Sequence, residues 1–128
     1  MDAAQALADL TEISSQIEAA VLFDDAGAVV GSTLGSDDAA GAVAAAASRL
    51  LERAGEFRSE GSISQLEAST NGGSVFVVRD GARRIAATTG PAPTVGLVFY
   101  DLKSCLRNAD AEPAKPKRPR RKKPDDEA

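Results

Sequence analysis

The chain has 128 residues, of which 43% are hydrophobic and 4% aromatic, so it has room for one compact domain and a tail but not for a second core. It contains no histidine and a single cysteine, Cys105, which excludes the usual zinc ligand sets, His-dependent nucleophilic catalysis and an intramolecular disulfide. The formal net charge of -4 has two parts of opposite sign, because residues 1–111 hold 15 acidic and 8 basic side chains whereas residues 112–128 hold 4 acidic and 7 basic ones.

The first predicted element is an amphipathic helix over residues 3–17. Its apolar residues Ala6, Leu10, Ile13 and Ile17 follow the spacing i, i+4, i+7, i+11. The residues between them are rich in alanine and other unbranched side chains, which favour the helical backbone.

Two strands separated by a tight turn are predicted next, over residues 19–23 and 29–34. Residues 19–23 are continuously apolar, which is typical of a strand covered on both faces, and residues 29–34 resume in the same style. Between them, the Asp-Asp-Ala-Gly sequence of residues 24–27 offers the local hydrogen bonds and the positive φ that a tight hairpin requires. The paired acids could instead bind a divalent cation, as could Asp37 and Asp38, but turns and helix caps are the interpretation we prefer.

A long, alanine-rich helix is predicted over residues 39–57, with Ser36 or Asp37 as its N-cap. One face of this helix carries a stripe of small and apolar side chains, formed by Val43, Ala46, Ala47, Leu50, Leu51 and Ala54. Because most of these side chains are short, the stripe is a narrow, flat surface that a second helix can approach closely.

Three further strands follow in the predicted order. Residues 62–70 alternate between polar and apolar positions, which is typical of a strand with one wet face at a sheet edge. The Asn-Gly-Gly of residues 71–73 and the Asp-Gly of residues 80–81 predict two hairpins. They flank an apolar run over residues 75–78, which we expect to be a central strand, and lead into a fifth strand over residues 85–89.

A last helix and a tail are predicted after the Gly-Pro-Ala-Pro stop at residues 90–93. Apolar residues return there at helical spacing, namely Val95, Val98, Phe99, Leu102 and Leu106.

We expect the folded domain to cover residues 1–108. Residues 109–128 are rich in Pro, Lys and Arg and have nothing apolar to bury, so we predict a disordered basic tail. Such a tail could contact an anionic surface, act only as a solubilising segment, or lie across the acidic body.

The sequence offers few residues for catalysis. Cys105 lies among leucines in a predicted helix, so we interpret it as a packed thiol and not a reactive one. No G-x-x-x-x-G-K-[ST] loop is present, so the chain should not hydrolyse a nucleotide by itself. Arg79, Arg83 and Arg84 form a small basic tip around a hairpin turn, which is either solvated or a partner contact. We expect no catalytic residue, no metal and no cofactor.

Membrane and nucleic-acid functions also find little support. The start MDAAQALADL lacks a basic n-region, and no apolar run approaches the ~18 residues needed to span a bilayer. We therefore expect a cytoplasmic protein that is not an integral membrane protein. Sequence-specific nucleic-acid binding is not expected, because the body is acidic and the tail has no aromatic residues on which bases could stack.

The element order and several segments together resemble the Roadblock/LC7 family, in particular its single-domain bacterial members encoded beside small Ras-like GTPases. The segments are AAVLFDDAGAVVGST, the alanine-rich second helix, GGSVFVVRDGARRIAATTG and TVGLVFYDLKSCL, and the resemblance covers about residues 3–108. It implies an α+β, profilin-like fold of order αββαβββα. A five-stranded antiparallel sheet would carry the second helix on one face and the first and last helices on the other.

The resemblance also implies a homodimer in which the second helices pair and the third strands meet edge to edge. The residues supply a physical reason, because the alanine-rich helix permits close contact and the exposed edge has unpaired backbone groups that a second copy can satisfy. The predicted dimer interface comprises Val43, Ala46, Ala47, Leu50, Ile63, Gln65 and Glu67. The predicted partner contacts are Arg49, Arg53 and Glu56 in the second helix and Arg118, Arg120 and Arg121 in the tail.

The function implied is that of a non-enzymatic homodimer that binds a small Ras-like GTPase and regulates its nucleotide cycle or location. One alternative is an interaction scaffold in a signalling or motility complex, without effect on GTP turnover. Another is an adaptor whose basic tail binds an anionic surface, in which case binding should weaken steeply with salt.

Overall fold

The computed structural model describes residues 2–57 and 63–110, which contain three helices and five strands in the predicted order. The helices are α1 (Ala3–Ile13), α2 (Asp37–Gly55) and α3 (Val95–Asp110). The strands are β1 (Ile17–Asp24), β2 (Val29–Ser32), β3 (Gln65–Thr70), β4 (Gly73–Asp80) and β5 (Arg83–Thr89). The tail was predicted from residue 109, but α3 continues to Asp110 and Ala109 is buried in the core; the rest of the predicted tail lies outside the described residues.

The five strands form one antiparallel sheet in the order β2-β1-β5-β4-β3. Helices α1 and α3 pack on one face and α2 on the other, so the predicted α+β class, element order and layering are confirmed. The polar strand β3 lies at an edge, as its alternation predicts. The apolar strand β4 is internal, although β5 is the strand at the centre of the sheet.

Each face of the sheet has its own hydrophobic core. The core under α1 and α3 is built from large side chains, among them Leu22, Phe76, Ile85, Leu102 and Leu106, and Phe76 meets Phe99 edge to face at 5.0 Å between ring centres. The α2-side core consists of Val21, Phe23, Ala40, Ala44, Ala47, Leu51, Val77 and Ala86. Because alanine buries little apolar area, α2 is held to the sheet by less hydrophobic free energy than its length suggests.

The first helix is shorter than predicted, which corrects the expectation of a helix over residues 3–17. Helix α1 ends at Ile13, which is 73% exposed, and Ile17 already lies in β1, opposite Thr89 of β5. The buried face of α1 is instead formed by Ala6, Leu7 and Leu10. The apolar spacing that looked helical as far as Ile17 therefore joins a helix to a strand, because pairing with β5 fixes the chain from Ile17 onward.

The second strand also departs from its prediction. A strand over residues 29–34 covered on both faces was expected, but β2 spans Val29–Ser32 at the sheet edge. Val29 and Val30 are 39% and 44% exposed. An edge strand has only one neighbour, so its apolar side chains reflect β propensity more than burial.

The acidic stretch between β1 and β2 is a turn. One carboxylate oxygen of Asp24 accepts hydrogen bonds from the backbone N–H groups of Ala26 and Ala28, at 3.0 and 2.9 Å, and Gly27 has φ +86°. This confirms the turn interpretation, since an Asx-type bond and a positive φ are what the hairpin needs. Across the described residues, no three His, Cys, Asp or Glu side chains are grouped so that they could hold a metal ion.

Candidate interaction surface

Helix α2 spans Asp37–Gly55, so it begins and ends two residues earlier than the predicted range of 39–57. Its N-cap is Ser36, one of the two predicted candidates, whose hydroxyl oxygen accepts a hydrogen bond from the Ala39 N–H at 3.2 Å. Asp37 and Asp38 lie in the first turn, where negative charge is favourable because the unpaired N–H groups carry partial positive charge. The Asp37 and Asp38 pair is thereby explained without a metal.

The rotation of α2 separates its small residues into two sets. Ala40, Ala44, Ala47 and Leu51, spaced i, i+4, i+7, i+11, are buried against β1, β4 and β5. A second row lies on the flank of the helix beside the buried row, where Val43 is half-buried against the α2-side core, Ala46 is exposed and Leu50 is 37% exposed. We call the row of Val43, Ala46 and Leu50 the outer face of α2.

The predicted dimer residues in α2 are therefore divided between the two sets. Val43, Ala46 and Leu50 lie on the outer face, which another chain can reach. Ala47 is only 2% exposed and packs in the α2-side core, so the expectation that it lines an interface is corrected. The physical reason is one of rotation, since a residue one position from Ala46 is turned by about 100° around the helix axis.

The sequence reading missed Phe57. It follows α2, which ends at Gly55, and it is 88% exposed, the most exposed large hydrophobic residue among those the structure describes. The sequence predicts Phe57 as the last residue of the second helix, but α2 ends two residues before it, so helical spacing from Leu50 does not place it on a helix face. No helical periodicity could therefore have identified it as part of a surface.

The outer edge of β3 offers a second surface. The Arg79 N–H donates to the Ser64 carbonyl at 2.8 Å, and alternate residues after Ser64 continue this ladder with β4. In an antiparallel pair the intervening residues turn their backbone groups away, so those of Gln65, Glu67 and Ser69 point outward. No other strand pairs with that edge within the described part of the chain. An open edge of this kind is a template for a further strand.

The structure also locates the side chains predicted for the β3 edge. Ile63 precedes β3 and packs partly against the α2-side core. Gln65 and Glu67 stand opposite Val78 and Phe76 on the other sheet face, and Glu67 accepts a hydrogen bond from the Ser69 hydroxyl. Any edge-to-edge role of Gln65 and Glu67 therefore involves their backbone more than their side chains.

The predicted partner contacts in the second helix are all exposed. Arg53 and Glu56 form an ion pair with each other at 3.7 Å, and their side chains are 80% and 67% exposed. A pair this exposed adds little stability, so both side chains are available to a partner at low cost. Arg49 is exposed one turn earlier. The predicted tail contacts Arg118, Arg120 and Arg121 lie outside the described residues.

The basic tip lies beside the C-terminal half of α2. Arg79 and Arg84 stand directly opposite each other on β4 and β5, and both line a cavity with Asp25 and Glu52. The Arg84 Nε is buried without a hydrogen-bond partner among the described residues. Arg83 stands in register with acidic residues on both neighbouring strands. The three arginines are half-buried beside acidic residues, so the tip is not simply a set of solvated charges.

Cys105 is part of the core. It is 3% exposed, and its thiol donates a long hydrogen bond to the Ala6 carbonyl, with 3.5 Å between sulfur and oxygen. Burial, and to a smaller extent the negative charge of Asp9, raises the pKa of the Cys105 thiol from 9.0 to about 11. The prediction of a packed thiol is confirmed, since the nucleophilic thiolate is disfavoured there.

Comparison with protein families matches residues 4–88 of the chain to the Roadblock/LC7 domain. The matched stretch contains α2 and β3, the elements that carry the surface described above. Comparison with curated proteins finds no match.

Several solved structures share the fold. A Roadblock/LC7 domain from Streptomyces avermitilis has a TM-score of 0.75 at 20% identity, over 86% of this chain and 96% of that one. The gliding protein MglB from Thermus thermophilus has a TM-score of 0.64 at 16% identity, over 84% of each chain. MglB in a tetrameric arrangement has a TM-score of 0.62 at 16% identity, over 82% of this chain and 85% of that one.

Proposed function

The chain belongs to the Roadblock/LC7 family, and on that premise we propose that it is a non-enzymatic homodimer that binds a small Ras-like GTPase and regulates its nucleotide cycle or location. The observation that carries this proposal is the family match over residues 4–88. The protein acts by contact, because the sequence has neither a phosphate-binding loop nor a histidine.

Two features of the surface support the homodimer. The outer face of α2 is apolar and built from small side chains, and the edge of β3 has outward backbone groups. Val43 of α2 and Leu66 of β3 both border the α2-side core, so the helix face and the strand edge belong to the same region of the molecule. A two-fold axis beside β3 would bring both features against their copies at once. A solved MglB structure is described as tetrameric, which is consistent with self-association in this fold.

The GTPase contact we propose uses the exposed charges of α2. Regulation of a small GTPase requires either a donated arginine that stabilises charge in the transition state or the repositioning of the residue that orients the attacking water. Arg49 and Arg53 are exposed and long enough to reach a partner, and the tail arginines are further candidates. The carboxylate of Glu56, which pairs with Arg53, can accept a hydrogen bond from a basic residue of the GTPase.

The test measures GTP hydrolysis and nucleotide exchange by the Ras-like GTPase encoded beside this protein, with and without the full chain. We expect one of the two rates to change by at least about tenfold. The double variant R49A/R53A should weaken binding by at least about fivefold, a typical loss for interface charges. Arg107→Ala, which removes an exposed arginine from α3 on the opposite sheet face, is the matched control and should bind normally. No binding and no rate change would overturn the proposal.

A scaffold role is the second candidate. One of the structural neighbours is described as a gliding protein, and the described surface has exposed large hydrophobic residues on both sides of the sheet, among them Leu50 and Tyr100. Exposed apolar side chains on two faces suit a protein that joins partners. Binding of the GTPase with both nucleotide rates unchanged would select this role. Binding that disappears when residues 112–128 are deleted and that falls steeply with salt would instead select the tail-driven adaptor.

A further inference from the structure

A groove runs between α1 and α3, on the sheet face opposite α2. Its volume is about 220 Å³, and its lining includes Asp9 from α1 and Asp101, Ser104 and Asn108 from α3. No Lys or Arg lines it. Lys103 and Arg107 of α3 line a separate cavity beside β4, and Arg107 also donates a hydrogen bond to the hydroxyl of the groove-lining Ser104, at 3.2 Å. The groove is therefore acidic although it lies on a helix that also carries basic residues.

Asp101 is the unusual member of this groove. It is only 7% exposed, yet no described residue donates a hydrogen bond to its carboxylate or forms an ion pair with it. Its carboxylate oxygens are not among the buried atoms without a partner, so they face the solvent of the groove. Asp9, across the groove, has only the exposed Gln5 amide as a partner, at 2.9 Å. Two carboxylates thus face one groove, and neither forms an ion pair with a described residue.

The rim of the groove is apolar and exposed. Ile13 at the end of α1 is 73% exposed, and Tyr100 on α3 is 64% exposed. An arginine suits such a place, because its guanidinium can stack on a tyrosine ring while it donates paired hydrogen bonds to a carboxylate. The lining therefore favours a ligand that is rich in arginine.

We propose that this groove binds the arginine-rich segment of the chain's own C-terminal tail, residues 118–123. The sequence there is Arg-Pro-Arg-Arg-Lys-Lys, and the tail starts at the end of α3, two residues after the groove-lining Asn108. Asp101 lies nine residues before Asp110, which is about 13 Å along the helix axis. Arg118 lies eight residues after Asp110, and eight residues at ~3.1 Å each can span up to about 25 Å, which is enough to cover that distance. A ligand on the same chain and within reach of its site has a high effective concentration.

The experiment records amide ¹H–¹⁵N spectra of the full chain at about 20 mM and about 300 mM salt, where screening differs strongly. The test variants are the charge reversal R118E/R120E/R121E and the isosteric Asp101→Asn. Glu52→Gln, on the opposite face of the molecule, is the matched control for loss of a carboxylate. Tyr100→Ala removes only an exposed ring, so it provides a second groove variant that keeps the fold.

At low salt, the charge reversal should shift the amides of the groove, including those of Asp9 and Ser104. At high salt, the groove amides of the natural chain should lie less than half as far from those of the charge-reversal variant as they do at low salt. Asp101→Asn and Tyr100→Ala should move the amides of Arg118 and of residues 120–123 towards their high-salt positions, and Glu52→Gln should leave them in place. Groove amides that do not respond to the charge reversal would overturn the proposal. A response that disappears on dilution would also overturn it, because the groove would then hold the tail of another molecule.

Discussion

At the scale of single residues, the β3–β4 hairpin depends on Gly73. Its φ is +151°, and a Cβ added there would lie 2.1 Å from the Thr89 carbonyl oxygen. We expect Gly73→Ala to lower the free energy of unfolding by about 2–4 kcal/mol, because both the backbone conformation and the contact become unfavourable. Gly72→Ala is the matched control, since no atom lies within 4 Å of its Cβ position, and it should change stability by less than about 1 kcal/mol. Urea unfolding compares the two, and equal midpoints would refute the role of Gly73.

The Cys105 thiol gives a prediction of pH dependence. The Cys105 thiol has a pKa of about 11 in the folded chain against the ordinary value of 9.0, so the folded chain holds the thiol proton more tightly. The stabilisation of the fold by the buried neutral thiol is therefore complete below pH 9 and is lost as the pH rises towards 11. At pH 8 the thiolate fraction is about 100-fold lower than for an ordinary thiol. Alkylation by iodoacetamide should be slower in the native chain than in urea by at least that factor. A native rate within tenfold of the unfolded rate would contradict the assignment of Cys105 to the core.

At the scale of elements, two neighbouring leucines of α2 separate folding from association. Leu51 is 5% exposed in the α2-side core, whereas Leu50 is 37% exposed on the outer face. Leu51→Ala should destabilise the fold by about 2–4 kcal/mol through loss of buried area and a cavity. Leu50→Ala should change the stability of the protomer by less than about 1 kcal/mol. Thermal unfolding at low protein concentration measures both, and similar losses for the two variants would contradict the observed rotation of α2.

The same helix shows how far the sequence could predict the structure. Spacing, caps and turns were sufficient for the order of the elements and narrowed the N-cap of α2 to Ser36 or Asp37. They could not fix the rotation of α2, because alanines occupy both the buried row and the flank beside it, so Ala47 could not be distinguished from Ala46. Ile13 and Ile17 were placed in one helix because strand pairing with β5 is a long-range effect that local spacing does not encode. The α1–α3 groove joins residues about 90 positions apart, which no local pattern could bring together.

At the scale of the whole molecule, the two sides of the sheet have different surfaces. The α2 side has an apolar helix face and an open strand edge, and the other side has an acidic groove. None of the described helices is long and apolar enough to cross a membrane.

We assign self-association to the α2 side, so Leu50→Glu should weaken the dimer by at least about tenfold, because two charges would be buried against each other. Ile13→Glu, an equally drastic change on the opposite side, is the control and should leave the dimer intact. Sedimentation velocity over a range of concentrations measures both.

The central claim is that a dimer of this chain binds a small Ras-like GTPase, and light scattering of the full chain tests it most directly. The mass is measured for the chain alone and for mixtures with the nearest-encoded small Ras-like GTPase, loaded with GDP or with a GTP analogue. The account predicts the mass of two chains for the protein alone and a heavier complex in at least one nucleotide state. A monomer at all concentrations, or a dimer that takes up the GTPase in neither state, would contradict it.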